Sequence, residues 1–201
     1  LHLCDRRQRQ MCIRDREYIM PPKTRITKEV ILNKSFEIAQ EEGVESLNVR
    51  YLAKKIECST MPIFKVFSNV NELKVELKKA IEEYYDGFIL NYIDKTDYLF
   101  TISFAYINFA LKERKLFGAL FVNEFIETRS MNEVICSSWN RETIECTANQ
   151  YQISMEASEA LYRDIRFYTH GIATQLYGGN IALSEDEIQA LLRNAIEKFL
   201  R

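Results

Sequence analysis

Between Lys23 and Arg201 the chain contains one proline, Pro62, and the whole sequence of 201 residues holds only six glycines. A proline inside a helix removes a hydrogen bond and clashes with the preceding turn, and a glycine there costs about 1 kcal/mol relative to alanine. A chain so poor in both is expected to form long, uninterrupted helices, and the predicted fold class is all-α. With 47% hydrophobic residues it can bury a substantial core, arranged as a small N-terminal domain joined to a larger helical one.

Pro62 itself falls where two short helical patterns meet, between Leu47 and Phe67. In the first pattern Val49, Leu52, Ala53 and Ile56 lie at i, i+3, i+4 and i+7 behind Asn48 as N-cap. In the second, Ser59 is the N-cap candidate and Ile63, Val66 and Phe67 face inward. Pro62 then sits in the first helical turn, where a backbone N–H lacks an intrahelical acceptor anyway. Thr60, Met61, Phe64 and Lys65 are left outside, an apolar and aromatic face that is unusual on so short a helix unless something docks on it. The pattern reads as a helix-turn-helix placed on DNA. Thr60 and Met61 are best located to touch base edges in the major groove, and Phe64 to lie against sugar and methyl groups. Lys23, Arg25, Arg50 and Lys65 are candidates for phosphate contact, and the cap residues Asn48 and Ser59 complete the candidate set. Core cover is the competing reading for Met61 and Phe64, and solvated surface charge for the cations.

The formal net charge of −2 carries no polyelectrolyte signal, so a nucleic-acid function must rest on a local surface. Met20 to Ala80 holds eleven Lys or Arg against eight Glu, whereas the remainder is acidic. Leu1 to Ile19 shows no helical or strand periodicity, is too charged for a signal peptide, and precedes Met20-Pro21-Pro22-Lys23, which resembles a natural start. Residues 1–19 are expected to be a disordered or non-native extension, the other reading being a basic arm along the DNA backbone. Residues 20–70 are assigned to DNA binding, and 71–201 to a helical domain for ligand binding and dimerisation.

Helices are predicted from Thr27 to Glu42, with Val30, Ile31, Lys34, Ile38 and Ala39 as an inward stripe and Gly43 as the stop, and from a capping box of Asn69 and Glu72. The helix begun at that box carries Leu73, Leu77, Ala80, Ile81, Tyr84 and Phe88, and can pack on both domains as a mechanical link. Further helices are expected over Tyr98–Arg114, Lys115–Glu127, Met131–Tyr151, Glu156–Tyr177 and Glu185–Leu200, the last opened by a capping box at Ser184. The larger domain is rich in aromatic residues, and Phe104, Phe109, Phe117, Phe121, Trp139 and Tyr168 are expected to line an apolar ligand cavity, with core packing as the alternative. Ile165, Ile172 and Leu176, with Ile188, Leu192 and Ile196 of the last helix, form apolar faces wide enough to pair with a second copy as a four-helix dimer interface.

Five cysteines without zinc-type spacing suggest a reducing cytoplasm, with Cys136 and Cys146 as buried thiols. No run of about eighteen apolar residues exists, so no membrane partner is expected. No Ser/His/Asp arrangement, metal spacing or phosphate loop is found, which points away from an enzyme and from any cofactor or metal.

About fifty residues from Ile26 to Leu77 resemble the TetR family of bacterial transcriptional regulators. The resemblance is carried by Glu-Glu-Gly-Val at the first helix end, Val-Arg-Tyr-Leu-Ala, Ser-Thr-Met-Pro-Ile-Phe-Lys-Val-Phe and Asn-Glu-Leu in that order. Tyr168-Thr169-His170-Gly171-Ile172-Ala173 and Leu183-Ser184-Glu185 to Leu192 are similar to the closing helices of that family. The resemblance implies a homodimeric repressor on a pseudo-palindromic double-stranded operator, released by a small apolar or amphipathic effector that moves the linking helix. Three residues depart from the family pattern. Glu57 stands where glycine is frequent in the turn, which predicts backbone strain. Phe64 replaces a common tyrosine and Val70 a frequent lysine, which removes two phosphate contacts and leaves Arg50, Lys65 and the basic residues before Thr27 to anchor the DNA. The other class of function left open is a helical protein-protein adaptor using its aromatic face.

Overall fold

The computed structural model describes residues 26–201, in which ten α-helices and a short 3-10 turn are the regular elements and no strand occurs. Lys23, Arg25 and the extension at residues 1–19 lie outside the described residues. Three helices build the first unit: α1 (Lys28–Glu41), α2 (Val49–Lys55) and α3 (Thr60–Val66). The long α4 (Val70–Leu90) leads from it into the second, formed by α5 (Tyr98–Lys112), α6 (Arg114–Phe121), α7 (Met131–Ile135), α8 (Ser138–Tyr151), α9 (Met155–Gly178) and α10 (Glu185–Phe199).

Local chemistry accounts for most boundaries. The side chains of Thr27, Asn48, Asn69, Ser154 and Ser184 each accept a hydrogen bond from a backbone N–H in the first turn of the helix they open. Ser184 and Glu187 form the expected capping box. At α4 the box is skewed: Asn69 Oδ1 accepts from Glu72 N, but Glu72 Oε2 accepts from Ser68 N rather than from Asn69. Ser59 caps α3 by backbone conformation alone and its hydroxyl makes no capping bond. On α1 the buried stripe is Ile31, Ser35, Ile38 and Ala39. Lys34, expected in that stripe, pairs with Glu37 at the surface, and Ser35 is buried instead because its hydroxyl donates to Ile31 O at 2.8 Å.

Two ends use the same six-residue cap with different residues. At the end of α9, Gly179 has φ 72°, with Asn180 N donating to Gln175 O and Gly179 N to Leu176 O. After α2, Cys58 N donates to Ala53 O and Glu57 N to Lys54 O, which places Glu57 at φ 59°. The left-handed conformation costs a residue with a Cβ roughly 1–2 kcal/mol, and glycine costs roughly 0.5–1 kcal/mol of chain entropy. Glu57→Gly is therefore expected to stabilise the protein by about 1 kcal/mol, raising Tm by about 2–4 °C. A thermal melt in which the variant unfolds at the same temperature or lower would show that the turn stores no strain.

α5 is the central element, packed by α4, α8, α9 and α10. Its sequence is apolar on nearly every side, and Tyr98, Leu99, Ala105, Ile107, Phe109 and Ala110 are all buried. The helix expected over Met131–Tyr151 is broken into α7 and α8, with Ser137 as N-cap of the second piece. The helix expected to reach Glu127 ends at Phe121, after which Asn123 N and Phe125 N turn back to Gly118 O and Ala119 O. Cys136, expected to be buried, is exposed. Among the described residues no helix is long and apolar enough to cross a membrane.

The residues expected at a dimer interface are placed differently. Ile165, Ile172, Leu176, Ile188, Leu192 and Ile196 are all buried within a single chain. The apolar faces of α9 and α10 close on each other and on α5, so their burial needs no second copy.

Candidate nucleic-acid interface and ligand cavity

The first unit holds α3 outward. Ile63 and Phe67 anchor it in the core with Leu52 of α2 and Leu73 of α4, and Val66 is half-buried. Met61 is 66% exposed and Phe64 49% exposed, so neither covers the small core. Thr60 is half-buried beside them; Asn48, Arg50, Ser59 and Lys65 are exposed. Three cations of this unit are tied down: Lys28 to Glu76, Lys34 to Glu37, and Lys55 to Glu42. The Tyr51 hydroxyl also donates to Glu42, at 2.6 Å, and the hydrogen bonds from Tyr51 and Lys55 hold the Glu42 carboxyl below its ordinary range. Arg50, Lys54 and Lys65 form no ion pair among the described residues, and Arg50 and Lys54 stand one turn apart on α2. Lys54 was not among the candidates named from the sequence, although its i, i+4 spacing to Arg50 was visible there. At the start of α4 the Glu72 carboxylate occupies the Ser68 N–H, so this helix end offers a phosphate less than its dipole alone suggests.

α4 carries the connection onward. The Tyr84 hydroxyl donates to Glu113 Oε1 at 2.6 Å, and Gln40 of α1 donates to Glu113 Oε2 at 2.9 Å. Lys74 pairs with Glu124 at 3.2 Å, while Lys78 pairs with Glu127 and, at 3.8 Å, with Glu82. Arg129 reaches Glu127 at 3.2 Å. The segment following α6 is thereby strapped to the helix that leaves the first unit.

Behind this strap lies a cavity of about 650 Å³ between α4, α5, α6, α8 and α9. Of the aromatic residues named from the sequence, Phe121 and Trp139 line it, together with Tyr85, Tyr106, Phe125 and His170. Phe109 and Phe117 do not: they are fully buried and support the lining rings from behind, Phe109 edge-on to Tyr85 at 4.9 Å and Phe117 against Tyr106 at 5.4 Å. Phe104 is turned to the other side of α5, where it stacks on Phe100 at 5.9 Å. Tyr168 falls off the lining face of α9, which is made by Tyr162, Ile165, Arg166, Thr169 and His170 at i, i+3, i+4, i+7 and i+8. The Tyr106 hydroxyl meets His170 Nδ1 at 2.8 Å. Burial, then the charge of Arg166, hold His170 below its usual value. Burial, with Glu82 and Glu83 nearby, pushes the Asp86 carboxyl up.

The ten helices, with the short α2 and α3 followed by the long α4, adopt the fold of solved transcriptional regulators, one of them TetR-like. Solved structures show it directly. A transcriptional regulator from Rhodococcus sp. Rha1 superposes with a TM-score of 0.58 at 16% identity, over 87% of this chain and 96% of that one. A TetR-like transcriptional regulator from Rhodococcus sp. RHA1 gives 0.58 at 16% identity, over 86% and 94%. A TetR variant from Acinetobacter baumannii AYE in complex with minocycline gives 0.53 at 16% identity, over 87% and 94%. No protein-family model matches the chain, and no curated protein matches it in sequence.

Proposed function

We propose that this chain is a DNA-binding transcriptional repressor that acts as a homodimer on a pseudo-palindromic operator and is released by a small apolar or amphipathic effector. The observation that carries this reading is the outer surface of the first unit. Its exposed apolar pair, Met61 and Phe64, is accompanied by Arg50, Lys54 and Lys65, the cations of that unit without an ion pair among the described residues. A helix of this kind enters the major groove, and two copies reach successive grooves roughly 34 Å apart. The dimer would use the outward stripe of α9 and α10, where Asp164, Tyr168, Gly171 and Gln175 run beside Leu191 and Asn194, since the inward stripe is already buried. Effector release follows from α4. One helix is capped at the first unit, strapped through Lys74 and Lys78, and lines the cavity with Glu82, Tyr85 and Asp86. An occupant that favours one position of α4 shifts the spacing of the two α3 helices, and its preference for that conformer sets the size of the effect.

Retardation of the DNA upstream of the chain's own gene, in a titration over salt, tests this reading. Binding should weaken steeply with salt, as counterion release requires. No retardation by any such fragment would favour the adaptor reading instead. Thr60→Ala should change sequence preference at its contacted position by about 1–3 kcal/mol. Lys65→Ala should weaken all sequences alike and lower the salt slope by about one. The reverse pattern would place another face of α3 in the groove. Light scattering that found a monomer at micromolar concentration would remove the dimer.

A further inference from the structure

The cavity has one wall unlike the others. Tyr85 of α4, Leu99 and Tyr106 of α5 and Ile165 of α9 line it from helices that build the core. Phe125, Ile126, Glu127 and Arg129 line it from residues 122–130, the connection between α6 and α7. From Val122 to Ser138 no residue is buried, and no other stretch among the described residues that excludes this region runs so far without one. Phe125 N reaches Ala119 O at 2.9 Å, but from Ile126 to Arg129 no backbone–backbone hydrogen bond is made among the described residues. A segment with few buried contacts and few backbone hydrogen bonds opens at a small fraction of the cost of global unfolding. What holds it runs to a single helix. Glu124 pairs with Lys74 at 3.2 Å and Glu127 with Lys78, the two lysines standing one turn apart on α4. Between these carboxylates Phe125 packs half-buried against the core, and Ile126 is 54% exposed where the cavity meets solvent.

We propose that residues 122–130 are a lid that opens to admit the occupant of the cavity, latched to α4 by the Lys74–Glu124 and Lys78–Glu127 pairs. That the lid serves an effector rests on the reading of this cavity as an effector site. The other walls open only by exposing fully buried side chains such as Leu99 and Ile165, whereas the lid swings away at the cost of little more than the half-buried Phe125. An exposed ion pair shifts such an equilibrium by no more than about fivefold, so the two pairs hold the lid shut without locking it. Lids of this kind shut an occupant away from water once it has entered.

Trp139, the single tryptophan of the chain, lines the cavity, and Arg129 is the only Lys or Arg between Lys115 and Arg141. Acrylamide, a small neutral quencher, therefore reads access to the cavity, and trypsin cleavage after Arg129 reads release of the lid. Glu124→Gln/Glu127→Gln removes both pairs from the lid and leaves every trypsin site in place. At about 10 mM NaCl, where screening is weak, the full-length variant should be cleaved after Arg129 severalfold faster than the unaltered chain, with a quenching slope for Trp139 about twofold steeper. Raising NaCl to about 1 M should bring the slope of the unaltered chain to that of the variant and leave the variant unchanged. Lys74→Glu should steepen the slope, and Lys74→Glu/Glu124→Lys, which exchanges the charges, should restore it. Equal slopes in the glutamine variant and the unaltered chain overturn the proposal. So does faster cleavage with an unchanged slope, since the segment would then move without guarding the cavity. These measurements use neither DNA nor an effector, so the lid stands or falls on Trp139 and Arg129, whereas an operator affinity that no small molecule alters would refute the effector site alone.

Discussion

Phe117→Ala is expected to lower the stability of the protein by about 3–5 kcal/mol, the largest effect of any substitution considered. Phe117 is fully buried, and its ring is bounded by Tyr106 at 5.4 Å, Phe121 at 5.4 Å and Tyr177 at 5.6 Å. Removing it loses the transfer free energy of the ring and leaves a void that these three aromatic neighbours can fill only by leaving their own contacts. Collapse is hindered further by the close approach of α6 and α9. A Cβ on Gly118, the next residue, would come within 2.6 Å of the Tyr177 hydroxyl. Urea denaturation measures the change, and a loss below about 1 kcal/mol would place Phe117 outside the core. Had Phe117 been a ligand contact, as the sequence suggested, its truncation would mainly weaken ligand binding. In the structure it acts on ligand binding only through Tyr106 and Phe121, which it supports.

Phe64→Glu separates folding from DNA binding most sharply. The side chain is half exposed and anchors nothing in the core, so stability should change by no more than about 0.5 kcal/mol. On DNA the new carboxylate would face phosphates on a surface that otherwise holds Arg50, Lys54 and Lys65. Repulsion and the loss of apolar contact together should lower affinity by about a hundredfold, close to 3 kcal/mol. Phe64→Tyr, which adds a hydroxyl within reach of a phosphate, should act in the opposite direction by severalfold. Fluorescence anisotropy with a labelled operator, alongside a thermal melt, measures both quantities. Full affinity in the glutamate variant would mean that this face of α3 does not meet DNA.

Several local features were legible because they depend on residues near one another in the chain. Asn48, Asn69 and Ser184 cap the helices they open, since a side-chain oxygen and a first-turn N–H need only a few residues between them. The strained turn at Glu57 was visible only through the family resemblance, in which glycine is frequent at that position. Breaks inside apolar patterns were harder to read. The periodicity of Met131 to Tyr151 runs through Cys136 and Ser137 without interruption, yet the helix stops there, with Asn140 Nδ2 donating to Val134 O across the break. Lys74 and Lys78 were visible as charges one turn apart, but their partners Glu124 and Glu127 lie about fifty residues away along the chain.

By itself the sequence determined the all-helical class, several helix caps and the inward positions Leu52, Ile63, Leu73 and Leu77, because periodicity and capping are properties of a single segment. Tertiary structure decided what each stripe meets. Ile165 and Leu192 bear the same apolar signal whether a second copy covers them or α5 does, and only the packing of α9 and α10 on α5 shows that the chain buries them itself. Likewise Phe117 and Phe121 are alike in sequence but differ in place: one fills the core, and the other faces the cavity. Hydrophobic burial is non-directional, so a segment can state that a side chain must leave water but not which neighbour receives it.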